Sequence, residues 1–226
     1  MTAVNQVDGV HQRPIVIIAM KGHPGSGKTT LACSIAKALK CPLIDKDHFR
    51  DCTKELEQTL MLSTPDQHQE SSKNLLNELS YQVMWQVAST QLSLGLSVVI
   101  DSPLSRPAHL DRLIRMAVDN EARLVIVECK PKNQDEWRRR IEMRGEEADV
   151  QGSSSWHKPR SWHDMGKLLE GYAGCWEYDV GDVPKIVVDT TPAELGIEEM
   201  ASSVIEFVKS CKTSTDAPCR ANGLDR

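Results

Sequence analysis

Five short apolar runs punctuate the chain, at residues 14–20, 43–44, 97–101, 124–127 and 185–189. They are rich in Val, Ile and Leu and lack the polar alternation of a half-exposed strand, so they predict buried parallel strands. Between and after them, apolar residues return at helical spacing. Leu31, Ile35 and Leu39 do so beside Ala32 and Ala36. Leu75, Leu79, Val83 and Val87 repeat every four residues to about Leu94. Leu110, Leu113, Ile114 and Ala117 share one side, as do Met165, Leu168 and Leu169, and then Met200, Val204 and Val208.

Punctuation supports these boundaries. Pro42 restricts Cys41 and stops the first helix near Lys40. Thr64-Pro65-Asp66-Gln67 reads as a helix start, and Gly95 as its stop. Ser102-Pro103 breaks the third strand. Asn133 is placed to cap a helix whose first turn carries Asp135 and Glu136. Ser161 with Asp164, and Thr191 through Glu194 with Pro192, predict two further helix starts. Residues 51–63 are ambiguous, with a short helix as one option. From 145 to 160 the period is lost, and a patternless loop of that length is functional or disordered. Strand and helix alternate five times, the pattern of an α/β fold whose parallel sheet is covered on both faces.

Composition adds boundaries and exclusions. A chain of 226 residues fits one domain, expected over residues 14–209, with a loose lead-in at 1–13 and a flexible polar tail at 210–226. Net charge is −5 and the isoelectric point about 5.8, so no overall basic field draws it to nucleic acid or an anionic membrane. No apolar run approaches the ~20 residues of a membrane span, and residues 1–13 carry no import signal. Seven cysteines, with no C-x-x-C pair, suit reduced thiols in the cytoplasm.

One stretch carries specific chemistry. Gly22-His23-Pro24-Gly25-Ser26-Gly27-Lys28-Thr29, followed by Thr30, fits G-x-x-x-x-G-K-[ST] between a strand and a helix. Glycines let successive N–H groups approach phosphate oxygens, and the helix start adds its positive dipole end. Lys28 supplies a mobile charge for β- and γ-phosphates and Thr29 a hydroxyl for Mg²⁺. This predicts a nucleotide-phosphate site.

Ligands on such sheets bind at the carboxyl ends of the strands, so the residues there are the candidates. Asp45 and Asp47 are either solvated loop carboxylates or a base paired with a group that steers metal or substrate. Arg50, three residues beyond Asp47, offers a cation to the acceptor. Asp101 ends the apolar run Val98-Val99-Ile100, the form of a strand that holds Mg²⁺; its alternative is a turn aspartate before Pro103. Arg106 is a substrate clamp or an exposed arginine. Arg138, Arg139, Arg140 and Arg144 form the densest positive cluster. Arg140 and Arg144 share a helical face, either as a lid over the phosphoryl group or as a solvated face paired with Glu136 and Glu142. Trp162 and Trp176 read as packing, whereas Trp156 beside His157 and Lys158 has no evident core role. No compact histidine spacing points to structural zinc.

Over roughly residues 14–207 the chain resembles the small P-loop kinases related to adenylate, gluconate and chloramphenicol kinases and to the kinase domain of polynucleotide kinases. The P-loop, Asp47-x-x-Arg50, the Asp101 strand end and Arg140-x-x-x-Arg144-Gly145 carry the resemblance. The stretches 98–113 and 157–191 are most similar to plant proteins described only as P-loop kinases. The resemblance implies a five-stranded sheet in order 2-3-1-4-5, a mobile Arg-bearing lid near residues 133–160, and adenine beside Thr190, Thr191 and Pro192. It implies ATP and Mg²⁺, the latter on Thr29 and Asp101. Unlike adenylate kinases, the chain lacks their nucleotide-monophosphate recognition pattern, which favours a free hydroxyl on a small metabolite as acceptor. Asp47 is then the base, Lys28, Arg140 and Arg144 act on the phosphoryl group, and Asp45, Arg50, Asp101 and Arg106 face the substrate. A polynucleotide 5′-hydroxyl kinase and a nucleotide-dependent switch are the competing expectations.

Overall fold

The computed structural model describes residues 14–63, 65–151, 157–172, 176–192 and 194–211. The segment expected to be loose at 1–13, most of the tail from 212 onward, and Trp156 lie outside the described residues.

Five strands form one parallel sheet: β1 (Val16–Lys21), β2 (Leu43–Asp45), β3 (Val98–Asp101), β4 (Arg123–Cys129) and β5 (Lys185–Val188), in the order β2-β3-β1-β4-β5. The order matches the expectation. Every pairing is parallel, so all carboxyl ends lie along one edge. β1 is central and wholly buried. Its residues alternate between two cores, as the pleat requires. Ile17 and Ala19 face one core, and Val16, Ile18 and Met20 face the other. The second core is closed by α1 (Lys28–Leu39) packed against α8 (Ile197–Ser210), through Leu31, Ile35, Met200 and Val204. The first is closed by α4 (Asp66–Ser93) and α5 (Pro107–Asp119). No helix among the described residues is long and apolar enough to cross a membrane.

The ambiguous segment before α4 holds α2 (Lys46–Asp51) and α3 (Lys54–Ser63). α4 itself corrects the apolar repeat. Leu75, Leu79 and Val83 are 67%, 41% and 36% exposed, and the buried face is instead Leu76, Tyr81, Met84, Trp85, Ala88 and Leu92. A spacing of four overshoots the 3.6-residue turn by about 40° each time, so three steps turn the repeat by about 120°, from exposed Leu75 round to Val87, which packs on the first core.

Two other expectations shift. α6 (Gln134–Gln151) runs straight through Gly145, so the patternless segment begins as helix. Its low apolar content reflects exposure and not irregular backbone. Asn133 caps it through Oδ1 to the Glu136 N–H, as expected. At the other end of the chain, α8 starts at Ile197 and not at Pro192. Thr191 is engaged elsewhere: its hydroxyl donates to Asp189 and accepts the Asn133 N–H. The reciprocal cap is made by Glu199, whose carboxylate accepts the Gly196 N–H at 3.1 Å. Ser161 caps α7 (Trp162–Tyr172) through the Asp164 N–H, as the sequence indicated.

Candidate functional site

The P-loop leaves β1 and turns into α1 at the carboxyl edge of the sheet. Gly27 stands just before α1 at φ 84°, a left-handed conformation costly for any residue with a side chain. A Cβ there would meet the Thr190 side chain at 3.2 Å. Thr190 in turn donates its hydroxyl to the Ser26 carbonyl at 2.7 Å, tying the β5 end to the loop. The Ser26 hydroxyl oxygen is buried and has no hydrogen-bond partner among the described residues. Lys28 reaches back across the loop and donates to the His23 carbonyl at 3.0 Å. Loss of solvent lowers its pKa, against the opposing pull of Asp101. His23 is stacked on Trp176 at 3.8 Å and on Trp137 at 5.7 Å. Burial pushes its pKa down to about 4, helped by the Lys28 charge. Trp137 donates its indole N–H to the Pro24 carbonyl at 2.9 Å, so α6 rests on the loop. Thr29 lines the central cavity, whereas Thr30 points outward from α1.

Parallel register sets Asp45 directly beside Asp101. Both are buried. Desolvation and the neighbouring Asp101 raise the Asp45 pKa to about 6, although its carboxylate caps α2 by accepting the Asp47 N–H at 2.8 Å. Asp101 is also raised, by burial first, with the Lys28 charge and the Thr29 hydroxyl acting against it. Neither Asp101 oxygen has a hydrogen bond of good geometry. Two adjacent buried carboxylates whose pKa values both stay raised are not fully offset by Lys28, which leaves a place for a further cation. Hard oxygen ligands beside a P-loop threonine suit Mg²⁺. Among the described residues no group of three or more His, Cys, Asp or Glu side chains forms a metal cage, so such an ion would draw its remaining ligands from phosphate and water.

Asp47 faces the other way, into a cavity of about 640 Å³ that it shares with Gly25, Lys28 and Thr29. It is the hub of the site. Lys46 approaches at 2.8 Å, Lys158 at 2.7 Å, and the His157 ring nitrogen at 3.1 Å. Burial alone would push Asp47 up. The His157 hydrogen bond and the two ammonium groups outweigh it and hold the carboxyl far below the usual range. His157 also approaches Asp51 at 3.4 Å.

Arg50 lines the cavity but is buried against Glu57 and donates to the Thr53 hydroxyl at 2.6 Å. Arg106 lines the cavity from the start of α5. The connection from β3 to Arg106 is held by the Tyr178 hydroxyl, which donates to the Leu104 carbonyl at 2.7 Å. Within the arginine cluster the four side chains separate. Arg138 and Arg139 pair with Glu142 and Glu136 at the surface. Arg140 does not line the cavity: it bonds Glu136 and donates to the Thr190 carbonyl at 2.8 Å. Arg144 does line it, and donates to the Pro159 carbonyl at 2.8 Å. Gly145 permits this closure, because a Cβ there would lie 2.1 Å from the Arg160 carbonyl oxygen.

Of the expected site, then, Lys28, Thr29, Asp47, Arg50, Arg106 and Arg144 share one cavity. Asp45 and Asp101 lie behind it, and Arg140 and Thr191 sit on the β5 side. Sequence reading did not assign Lys46, His109, His157 or Lys158 to the site. Only the last two carried a signal, as polar residues in an aperiodic segment that core packing did not explain.

The chain matches the family model described as "AAA domain" over residues 17–163. No curated protein matches. Among solved structures it is similar to a protein from Chloroflexus aurantiacus J-10-fl described only as a candidate kinase, at 21% identity and a TM-score of 0.64, covering 86% of this chain and 99% of that one. It is similar to a gluconokinase from Sinorhizobium meliloti 1021, at 18% identity and a TM-score of 0.52, covering 87% and 92%. It is also similar to Kti12 from Chaetomium thermophilum, solved with ADP-AlF3, at 14% identity and a TM-score of 0.55, covering 85% and 98%. At these identities the likeness is one of fold, that of the P-loop kinases.

Proposed function

Because the chain belongs to the AAA-domain family of P-loop proteins, we propose that it is an ATP- and Mg²⁺-dependent kinase that transfers a phosphoryl group to a hydroxyl of a small metabolite. The observation that carries the reading is the single cavity shared by the P-loop and Asp47. A nucleotide switch has only to position water, whereas here a carboxylate on a separate helix faces the phosphate site across room for a second molecule.

The geometry supports the following roles. Backbone N–H groups of residues 25–29 and the α1 dipole hold the phosphates. Lys28, freed from the His23 carbonyl, takes the β/γ bridge. Asp101 and Thr29 would hold Mg²⁺, which supplies charge neutralisation on the transferring phosphate. Asp47 orients the acceptor hydroxyl and takes its proton as the new O–P bond forms and the bond to ADP breaks. Residues 133–160 act as a lid whose Arg144 covers the phosphoryl group. Arg140 positions the Thr190 turn, beside which adenine would lie.

In the conformation described, the lid latches onto Asp47 through His157 and Lys158. With three cationic or hydrogen-bonding partners Asp47 is a poor base. Admission of an acceptor displaces part of that set and restores its basicity, which couples proton transfer to occupancy. ADP release should therefore stay near background with ATP and Mg²⁺ alone and rise at least tenfold with a cognate hydroxyl compound. Rapid acceptor-independent hydrolysis would return the protein to the switch class.

A further inference from the structure

Resting on the kinase reading above, we propose that the cavity wall formed by α4 and the start of α5 is an oxyanion subsite made by Arg106 and Lys73 with the His109 ring, so that the acceptor is a hydroxylated compound carrying a carboxylate or phosphate group.

Seven lysine and arginine side chains line the cavity, and five are already matched by this chain, Lys28 among them through the His23 carbonyl. Lys46 and Lys158 sit on Asp47, Arg50 on Glu57, and Arg144 on the Pro159 carbonyl. Arg106 and Lys73 remain. Both are exposed to the cavity, and neither forms an ion pair or hydrogen bond among the described residues. They come from different elements, Lys73 from the first half of α4 and Arg106 from the residue before α5. Convergence of two unpaired cations on one pocket is therefore a tertiary feature and not a run of surface charge. Two further lining acids do not cancel them: Glu57 is committed to Arg50, and Glu70 makes no ion pair with Lys73.

His109 is the independent observation. Its side chain is 8% exposed yet borders the cavity. The ring lies 4.1 Å from Tyr81 and edge-on to Trp85 at 6.0 Å, which fixes its plane. Among the described residues its Nδ1 is buried with no hydrogen-bond partner. Burial, aided by the Arg106 charge, lowers its pKa to about 4, so the ring is neutral near pH 7 and does not add a third repelling cation. A buried ring nitrogen left unpaired is costly unless a ligand completes it. Asn74 and Asn77 border the same space and offer amides to hydroxyl groups. A polyol bearing one oxyanion satisfies this wall; an uncharged one leaves both cations unmatched.

The test uses the full chain saturated with Mg²⁺ and a non-hydrolysable ATP analogue, so that the P-loop is filled and cannot itself bind the oxyanion. Matched sets differing only at one terminus are titrated: glycerol, glycerate and glycerol phosphate, then glucitol, gluconate and glucitol phosphate. Calorimetry and thermal shift read binding, and ADP release with ATP reads turnover. Oxyanion members should bind at least tenfold more tightly than their neutral parents, and the carboxylate and phosphate arms show which oxyanion is preferred. Arg106→Ala and Lys73→Ala should each weaken that binding about tenfold or more with nucleotide affinity unchanged. Both residues are exposed, so these variants keep the fold. His109→Phe preserves the stack and should raise the acceptor Kd without altering nucleotide affinity. Equal binding of neutral and charged members, indifference to both alanine variants, or no binding by any member overturns the proposal. Turnover separates the two readings. Phosphorylation of a neutral polyol unaffected by Arg106→Ala sinks the subsite and keeps the kinase. Oxyanion binding that depends on Arg106 but never yields ADP keeps the subsite and sinks the kinase.

Discussion

On the side of the cavity proposed for the donor, phosphates would meet main chain: the turn at residues 22–27, the first N–H groups of α1, and one lysine. On the proposed acceptor side, a ligand would meet side chains from α2, α4, α5 and residues 157–159, drawn from stretches far apart in sequence. The difference follows from what each side must recognise. A triphosphate is the same in every nucleotide, so a fixed backbone cradle suffices, and α1 is anchored in the core by Leu31 and Ile35. An acceptor must be told from its relatives, which takes placed charges and ring nitrogens, and these are long polar groups balanced against one another. Asp47 belongs to both sides: its charge is compensated from the lid, yet it faces the P-loop.

The two sides differ most in what each loses when its acid is neutralised. Asp47→Asn should lower kcat by about 10²–10⁴-fold with ATP affinity nearly unchanged, and added Mg²⁺ should not restore it. Asp101→Asn should instead move the Mg²⁺ dependence to higher concentration. A Mg²⁺ titration of kcat on both variants decides, and rescue of Asp47→Asn alone would reverse the assignment.

On the donor side, Lys28→Met should cost about 10²–10³-fold in rate while circular dichroism and the melting temperature stay close to wild type. A fully active variant would show that backbone alone carries the phosphates.

The hinge between the halves is sharpened by Gly145→Ala. Its new Cβ cannot avoid the Arg160 backbone, so the latch over Asp47 should loosen. We expect kcat to fall about tenfold, a destabilisation of about 1–3 kcal/mol by overpacking, and proteolysis at residues 145–161 that nucleotide no longer suppresses. Unchanged kcat and protection would mean the segment is not a lid.

The smallest effect concerns stability. Asp45 has a folded-state pKa raised to about 6, so its unfavourable ionisation is absent below the unfolded value and grows as pH rises to 6. Wild type therefore loses this contribution across that window. Asp45→Asn keeps the α2 cap and should gain progressively on wild type between pH 4 and pH 6, levelling off above. Urea denaturation across that range measures it, and a flat difference would mean that Asp45 is not strained by Asp101.

The linear order of residues determined the α/β class, the strand positions and the donor half, because apolar runs and the P-loop pattern act within a few residues of chain. It also located Asp47, Arg50, Asp101 and Arg106, since a parallel sheet exposes its strand ends along one edge. It did not determine which face of α4 is buried, because small departures from the helical period accumulate over its 28 residues and packing alone selects the side. The direction taken by Arg140 and the partners of Arg50 were likewise open. The latch of His157 and Lys158 on Asp47 spans more than a hundred residues, and Lys73, Arg106 and His109 meet only once α4 and α5 lie against the same sheet face. Side chains at such separations carry no shared local signal, so only the tertiary fold, by fixing which elements pack together, makes them one site.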